Sequence, residues 1–313
     1  MKKPVLVMTM PLPFPELSAN GQVIERRLFE DDFSVFDQAQ VICSTALNSI
    51  DAQFIAQLPD TIKLIANIGV GYDNIDLAAA HARGIAVTNT PVVTEDTADL
   101  TFLLILAASR QLTANEAFLR AGNWTPDQLM GALGKTVHSN KLGIIGFGEI
   151  GQAVARRARA FNMEILYHGP RPKPEAEAAI DATYFEKLED MLAQADIVSI
   201  NCPLTEGTHH IMNADTIAAM KPDAVLVNTG RGPLVDEEAL FQAMRAGHLS
   251  AAGLDVFERE PEVHPGLLEL ENVTLTPHIG SATSQCRGAM ANCAIQNILA
   301  YFEGRALPTQ VSP

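Results

Sequence analysis

Lys141-Leu142-Gly143-Ile144-Ile145-Gly146-Phe147-Gly148-Glu149-Ile150-Gly151 is the stretch on which the reading of this chain turns. Its first half is an apolar run of strand character, its second half is a glycine turn, and the pattern from Gln152 to Phe161 continues as a helix. Gly146, Gly148 and Gly151 stand at G-x-G-x-x-G spacing. The first permits a tight turn, the second lets backbone approach a pyrophosphate, and the third lets helix and strand pack closely. Phe147, Glu149 and Ile150 complete a loop whose following helix would aim free N–H groups at a diphosphate. The spacing alone also fits a tightly packed turn with no ligand, so its surroundings must decide.

Downstream, strands are expected at Glu164 to Tyr167, Ile197 to Ile200, Ala224 to Val227, Ala252 to Val256 and Val273 to Leu275, with helices at Glu186 to Gln194 and Glu237 to Ala246. This alternation is that of a doubly wound parallel sheet begun by the glycine turn itself. Upstream lies a second alternation. Pro4 to Met8, Val41 to Cys43, Ile62 to Ala66 and Ile85 to Val87 read as strands, and the patterns near Asn20 to Phe29, Asp51 to Gln57 and Asp76 to Arg83 as helices. Between them Gly69-Val70-Gly71-Tyr72-Asp73-Asn74-Ile75-Asp76 opens a helix at a strand's carboxyl end, where ligands bind; a plain turn capped by Asp76 fits equally well.

Thr94 begins a long helical pattern to about Arg120, read as a spacer between the two units. Gly122 to Asn140 carries the only tryptophan, Trp124, and lacks periodicity; it is expected to pack on something outside its own domain, such as a partner subunit, although a core position is the commoner fate of a tryptophan. Pro170 to Pro174 reads as a stiff loop, and the last helical pattern, Ala282 to Glu303, is long enough to reach back to the first unit.

With 313 residues, 47% of them hydrophobic and 19% charged, the chain has material for two cored domains. Its net charge of −15 disfavours nucleic acid and anionic lipid as partners, and an anionic substrate would then need a local cationic site. Cys43, Cys202, Cys286 and Cys293 have neither C-x-x-C spacing nor neighbouring histidines, so no metal and no disulfide framework is expected, and a reducing cytoplasm fits. Met1-Lys2-Lys3 and the following apolar run could open a signal peptide, but Pro4, Pro11, Pro13 and Pro15 interrupt it, and a first strand is the better reading. The run Phe102 to Ala108 is far short of the roughly 18 residues of a membrane span.

If the glycine turn binds a dinucleotide, the next strand should end near the residue that reads the adenine ribose, a carboxylate in NAD sites. Here Tyr167 is followed by His168, Gly169, Pro170, Arg171, Pro172 and Lys173, with no acid until Glu175. Arg171 and Lys173 could pair with a 2′-phosphate, favouring NADP over NAD; a solvated basic loop is the alternative. Arg231, in Asn228-Thr229-Gly230-Arg231-Gly232, follows an apolar strand and can present its fork to a carboxylate. Glu260 and His278 also lie beyond strand ends, and a histidine beside a carboxylate is an acid–base pair in which the anion favours the charged ring and orients it. Each has an ordinary reading as a surface ion pair or satisfied loop residue. All three after strands of one nucleotide-binding sheet point to a site.

Gly-Phe-Gly-Glu-Ile-Gly at 146 to 151, Asn-Thr-Gly-Arg-Gly at 228 to 232, Gly-Leu-Asp-Val-Phe-Glu at 253 to 258 and Pro-His-Ile-Gly-Ser at 277 to 281 together resemble the D-isomer-specific 2-hydroxyacid dehydrogenases. Within that family the chain is most similar to the glyoxylate/hydroxypyruvate reductases, and the likeness covers nearly all of it. The resemblance implies Arg231, Glu260 and His278 as the catalytic triad. It implies a substrate carboxylate on the Val70 and Gly71 backbone, with Leu47 and Tyr72 lining the pocket, and Asp255 on the nicotinamide carboxamide. His168, Cys202, Pro203, Thr208, Thr229, Gly230 and Gly280 are further cofactor contacts on this reading.

The implied architecture is α/β, with two doubly wound parallel-sheet domains. A Rossmann cofactor domain, residues 100–288, is inserted into a flavodoxin-like substrate domain formed by 1–99 and 289–313, with the active site in the cleft between them. A homodimer joined through the cofactor domains and the Trp124 arm is implied as well. The expected reaction is reduction of a small 2-oxo acid to the D-2-hydroxy acid, NADPH being preferred and NAD the alternative.

Two local departures, Thr229-Gly230 before the arginine and the polar insertion Lys135 to Asn140, leave the triad untouched. Glu260 stands where formate dehydrogenases of this superfamily carry Gln, so formate oxidation is not expected. The rival activities are of two kinds. One is a D-lactate or phosphoglycerate dehydrogenase, set against by the missing acid after Tyr167 and by the lack of room for a regulatory domain. The other is a dinucleotide-sensing corepressor-like protein, which would want long tails, whereas this chain ends soon after Leu307-Pro308.

Overall fold

The computed structural model of the protein describes residues 3–128 and 131–311. The chain divides into two compact units, Met1–Val93 with Thr283–Pro313, and Thr94–Ala282.

In the second unit seven parallel strands lie in the order Ala182–Phe185, Glu164–His168, Lys141–Ile145, Ile197–Ile200, Ala224–Asn228, Leu249–Leu254 and Val273–Leu275. Numbered along the unit this is 3-2-1-4-5-6-7, the Rossmann order with one added strand. Its central strands are buried on both faces and therefore lack polar alternation. Leu142 and Ile144 join one core with Val154, Ile165 and Val227, while Ile145, Val198, Ile200 and Leu226 join the other with Met191 and Leu240. The order reverses between Lys141–Ile145 and Ile197–Ile200, so the glycine turn sits at the switch point where ligands bind.

The helix expected from Thr94 to Arg120 is two helices, Thr94–Ser109 and Leu112–Arg120, broken where Gln111 turns left-handed at φ 53°. The first is no spacer, because Ala98, Leu104, Ile105 and Ala108 bury in the core of this unit. The loop expected at Pro170 to Pro174 is shorter than its prolines imply, since Pro174 takes the first position of the helix Pro174–Ile180, where its missing N–H costs nothing. In the arm after Arg120, Trp124 is 63% and Leu133 80% exposed; Leu129 and Met130 of that arm lie outside the described residues.

The first unit has the strand order Gln310–Val311, Ala86–Thr88, Leu64–Ile68, Val41–Thr45, Val5–Met8 and Glu25–Leu28. Without the antiparallel Gln310–Val311 this is the 2-1-3-4-5 order of flavodoxin-like sheets. The helix Ser284–Phe302 packs Ala294 and Ile298 against Leu64 and Ala66 of the same unit. Asn20 to Phe29 is not the expected helix. Asn20 and Gly21, at φ 51° and 76°, make a two-residue hairpin turn between Ser18–Ala19 and Gln22–Val23, and Glu25–Leu28 then pairs in parallel with Val5–Met8 as an edge strand. Asn-Gly is the sequence such a turn requires. The helix-like charge pattern is used otherwise, Arg26 donating to the Phe14 carbonyl at 2.7 Å and Arg27 to the Glu25 carboxylate at 2.8 Å.

Candidate active site

Two of the three fingerprint glycines meet a steric constraint. Gly146 sits at φ +91°, and a Cβ there would come 2.5 Å from the Cys202 backbone nitrogen. One on Gly151 would come 2.3 Å from the Gly146 carbonyl oxygen, so the helix could not lie where it does. A Cβ on Gly148 would meet nothing within 4 Å. That glycine caps Glu149–Ala160 without a side-chain bond, and the first intrahelical acceptance at this end is Gln152 N–H to the Gly148 carbonyl. The N–H groups of Glu149, Ile150 and Gly151 thus lie at the open, positive end of a 12-residue helix, an arrangement that fits a diphosphate. Phe147 is buried, stacked on Tyr167 at 4.2 Å. Across the switch point Asn201 N–H bonds the Ile145 carbonyl at 2.7 Å, and Thr208 Oγ1 ties the following turn by donating to the Pro203 carbonyl at 2.7 Å. Burial pushes the Cys202 thiol up to about 11, beyond the reach of one opposing backbone hydrogen bond, so it stays protonated and is no nucleophile.

Strand Glu164–His168 ends in a loop held from beneath. The Tyr167 hydroxyl donates to Glu177 and accepts the Lys173 N–H at 2.7 Å, while Glu177 Oε1 takes the same N–H at 3.1 Å. Burial, then the Glu177 carboxylate, push the Tyr167 phenol up to about 12. His168 Nδ1 lies 3.0 Å from the Phe185 carbonyl. Arg171 is exposed, and with Lys173, Gln152 and Glu175 it lines a groove of about 700 Å³ beside the helix Pro174–Ile180.

Arg231, Glu260 and His278 converge at the carboxyl edge of the same sheet. Asn228, buried at the end of its strand, closes the turn before the arginine by accepting the Gly230 N–H at 3.0 Å and donating to the Arg231 carbonyl at 2.8 Å. Gly232 is obligatory there, because a Cβ would fall 1.9 Å from the Phe257 backbone. The Arg231 guanidinium bonds the Gly230 carbonyl at 3.0 Å. Glu260 accepts Phe257 N–H at 3.1 Å through one oxygen and faces His278 Nδ1 at 2.7 Å through the other, which leaves His278 Nε2 as the nitrogen turned to other partners. Burial raises the Glu260 carboxyl, but the His278 bond and charge, the Phe257 amide and the Arg231 charge outweigh it and hold the group below its ordinary value.

His278 adopts a left-handed backbone at φ 53°, tolerated because its turn is fixed from below. Asp255, 1% exposed, accepts Thr276 Oγ1 at 2.7 Å and Ile279 N–H at 2.8 Å on one oxygen, and Gly280 N–H at 2.8 Å on the other. Burial raises its carboxyl against these bonds. The sequence reading gave Asp255 a cofactor contact and missed this clamp on the His278 turn. It also missed Asn228 and the reciprocal pair Glu237–Glu258, in which each backbone N–H bonds the other's carboxylate, at 3.2 and 2.9 Å, with His210 Nε2 2.6 Å from Glu258. Glu258 stood in a quoted motif, yet nothing in the sequence tied it to His210.

In the first unit, three successive carbonyls of the glycine loop are captured. Gly69 O accepts Thr90 N–H at 2.9 Å, Val70 O accepts Asn89 Nδ2 at 2.9 Å and Gly71 O accepts Asn67 Nδ2 at 3.0 Å. Asp76 also caps the next helix through Ala79 N–H at 2.8 Å, so the loop and the cap coexist. Leu47 is 71% and Tyr72 38% exposed.

Residues 102–280 match the family profile described as D-isomer specific 2-hydroxyacid dehydrogenase, NAD binding domain. A glyoxylate reductase of Thermococcus litoralis is 42% identical over 88% of this chain and 84% of its own length. A glyoxylate/hydroxypyruvate reductase B of Erwinia tasmaniensis is 42% identical over 94% of this chain and 91% of its own. Among solved structures, an NADPH-dependent glyoxylate/hydroxypyruvate reductase of Sinorhizobium meliloti, crystallised with NADP and malonate, superposes with a TM-score of 0.88 at 33% identity, covering 99% of this chain and 97% of that one.

Proposed function

Because the chain belongs to the D-isomer-specific 2-hydroxyacid dehydrogenases, we propose that it reduces glyoxylate, hydroxypyruvate or a 2-oxo acid of similar size to the D-2-hydroxy acid, with NADPH as the preferred reductant. The observation that carries the reading is the Glu260–His278 pair at 2.7 Å beside Arg231, on the sheet whose switch point bears the open glycine turn.

The 149–151 amides and the Gly148 backbone would hold the diphosphate of a dinucleotide, whose nicotinamide would supply the hydride. We assign the substrate carboxylate to the Val70 and Gly71 amides. The Arg231 guanidinium faces the carbonyl oxygen as negative charge develops there. His278 Nε2 gives that oxygen its proton, and Glu260, its carboxyl held below the ordinary value, orients the ring through Nδ1. Asp255 holds the turn on which the histidine stands. Leu47 and Tyr72 are the side chains assigned to the selection between substrates.

The preference for NADPH rests on Arg171 and Lys173 standing in the loop after Tyr167, where a ribose-reading carboxylate would otherwise be and where the first acid in sequence is Glu175. The S. meliloti relative crystallised with NADP gives this support. Exposed Leu119 at the end of the helix Leu112–Arg120, with Trp124 and Leu133 in the arm that follows, supports a homodimer, and the four free cysteines fit a cytoplasmic setting. Among the described residues no helix is long and apolar enough to cross a membrane.

Steady-state rates with glyoxylate, hydroxypyruvate, pyruvate and phenylpyruvate, each with NADPH and NADH, test the proposal. Turnover is expected with the two smallest hydrophilic acids and NADPH. No turnover with any of the eight combinations would refute it and return the chain to the class of dinucleotide-sensing binding proteins.

A further inference from the structure

A trans peptide is planar, with its C=O and N–H pointing to opposite sides. Fixing a carbonyl therefore aims the next residue's N–H. Capture of the Gly69, Val70 and Gly71 carbonyls consequently turns the Val70, Gly71 and Tyr72 N–H groups outward, and among the described residues none of the three donates to an acceptor in the chain. Successive outward N–H groups form an anion-binding concavity. Two of the three captures are made by side-chain amides that are themselves held. Asn67, 1% exposed, accepts Ser44 Oγ at 3.0 Å through its oxygen, which directs its amide nitrogen to Gly71.

Asn89, which takes the Val70 carbonyl, is held by the C-terminal segment. Its backbone oxygen accepts Thr309 Oγ1 at 2.6 Å and its N–H bonds the Thr309 carbonyl at 3.3 Å. Thr309 is locked in turn by the fully buried Asn297, whose amide nitrogen reaches Thr309 Oγ1 at 2.8 Å and whose oxygen takes Thr309 N–H at 3.2 Å.

We propose that Asn67 and Asn89 are positioning residues for the substrate carboxylate, acting through the Gly69–Tyr72 backbone, and that Thr309 of the C-terminal segment sets Asn89 for that task. The proposal rests on the assignment of the carboxylate to the Val70 and Gly71 amides. Neither asparagine touches substrate; each orients a peptide that does. Removing one clamp lets a peptide rotate and forfeits about one charge-assisted hydrogen bond to the anion, roughly a tenfold loss of affinity.

The test uses the full-length enzyme with Asn89→Ala, Asn89→Asp, Thr309→Val and, to remove an anchoring donor itself, Gly71→Pro. Glyoxylate is the anionic substrate, glycolaldehyde the carboxylate-free one and malonate the competing anion. For Asn89→Ala the KM for glyoxylate and the inhibition constant for malonate are expected to rise about tenfold. The kcat at saturation should stay within about threefold, and NADPH affinity and the kcat/KM for glycolaldehyde should be unchanged, a split that loosened packing would not produce. Asn89→Asp, which sets an acceptor against the Val70 carbonyl, should raise KM at least as much, and Thr309→Val by about threefold. If Gly71→Pro raises KM and the Asn89 variants do not, the clamp is refuted while the carboxylate assignment stands. If thermally stable Gly71→Pro binds glyoxylate and malonate normally, the assignment itself falls and the clamp with it. Should Asn89→Ala fail to fold, the nearly isosteric Thr309→Val decides, and an unchanged KM there overturns the proposal.

Discussion

Replacing Glu260 by Gln keeps the length and shape of the side chain while removing the charge from the pair on which proton delivery depends. In the structure one carboxylate oxygen is spent on Phe257 N–H at 3.1 Å and the other lies 2.7 Å from His278 Nδ1. A glutamine can keep both contacts, so what is lost is the charge-assisted part of the second. Hydrogen bonds to charged groups contribute about 1.5–3 kcal/mol and neutral ones about 0.5–1.5, which puts the loss at roughly 1–1.5 kcal/mol. A loss of that size corresponds to about a tenfold weakening of the contact that orients the ring for proton delivery. The assay is the pH profile of kcat/KM for glyoxylate reduction, which reports groups of the free enzyme. Its alkaline limb should move to lower pH, with the largest loss of kcat/KM on the alkaline side of the profile and the smallest on the acid side.

Stability gives an independent reading of the same contact. The Glu260 carboxyl is held below its ordinary 4.5. Its contribution is therefore fully present above 4.5 and is lost as pH falls through the lowered folded value. Denaturant unfolding should show wild type more stable than Glu260→Gln at neutral pH, with the gap closing in that acid window. An unmoved limb with kcat/KM within twofold of wild type would refute the role given to the pair.

Three further outcomes are expected. Gly151→Ala places a methyl 2.3 Å from the Gly146 carbonyl oxygen, so the turn must shift; NADPH binding by fluorescence titration should weaken at least tenfold, with about 2 kcal/mol lost in unfolding measurements. Arg171→Ala should raise the KM for NADPH about tenfold or more while that for NADH changes less than twofold, and equal effects on both would make the loop an ordinary solvated one. If the proposed homodimer forms through the arm, Trp124→Asp, at a side chain 63% exposed, should give the mass of a monomer in light scattering where the wild type gives that of a dimer, and equal masses for the two would refute that role of the arm.

The sequence exposed those parts of the site whose residue type is dictated by local geometry. Gly146, Gly148 and Gly151 could be assigned separate tasks from their spacing, and the structure shows a steric reason for glycine at Gly146 and Gly151, while a Cβ on Gly148 would meet nothing within 4 Å. Arg231, Glu260 and His278 were legible because they follow apolar strands, and parallel strands deliver their ends to one edge. The residues that hold them were not legible. Asp255, Asn228, Asn67 and Asn89 act through backbone groups of segments distant in sequence, and a short polar side chain near a strand end looks the same whether it clamps a turn or faces water. The mistaken helix at Asn20 to Phe29 has a related cause. Reading Asn20 to Phe29 as a helix leaves the turn signal of Asn20-Gly21 unused, while the strand Glu25–Leu28 owes its state to pairing with Val5–Met8, which local periodicity does not contain.

The central claim is that His278, oriented by Glu260, hands a proton to a 2-oxo acid reduced at this site. It is tested most directly by His278→Gln, with single-turnover glyoxylate reduction and NADPH binding measured on the same preparation. The account predicts turnover reduced by at least about a thousandfold with NADPH affinity unchanged. Retention of a tenth or more of wild-type turnover would contradict it.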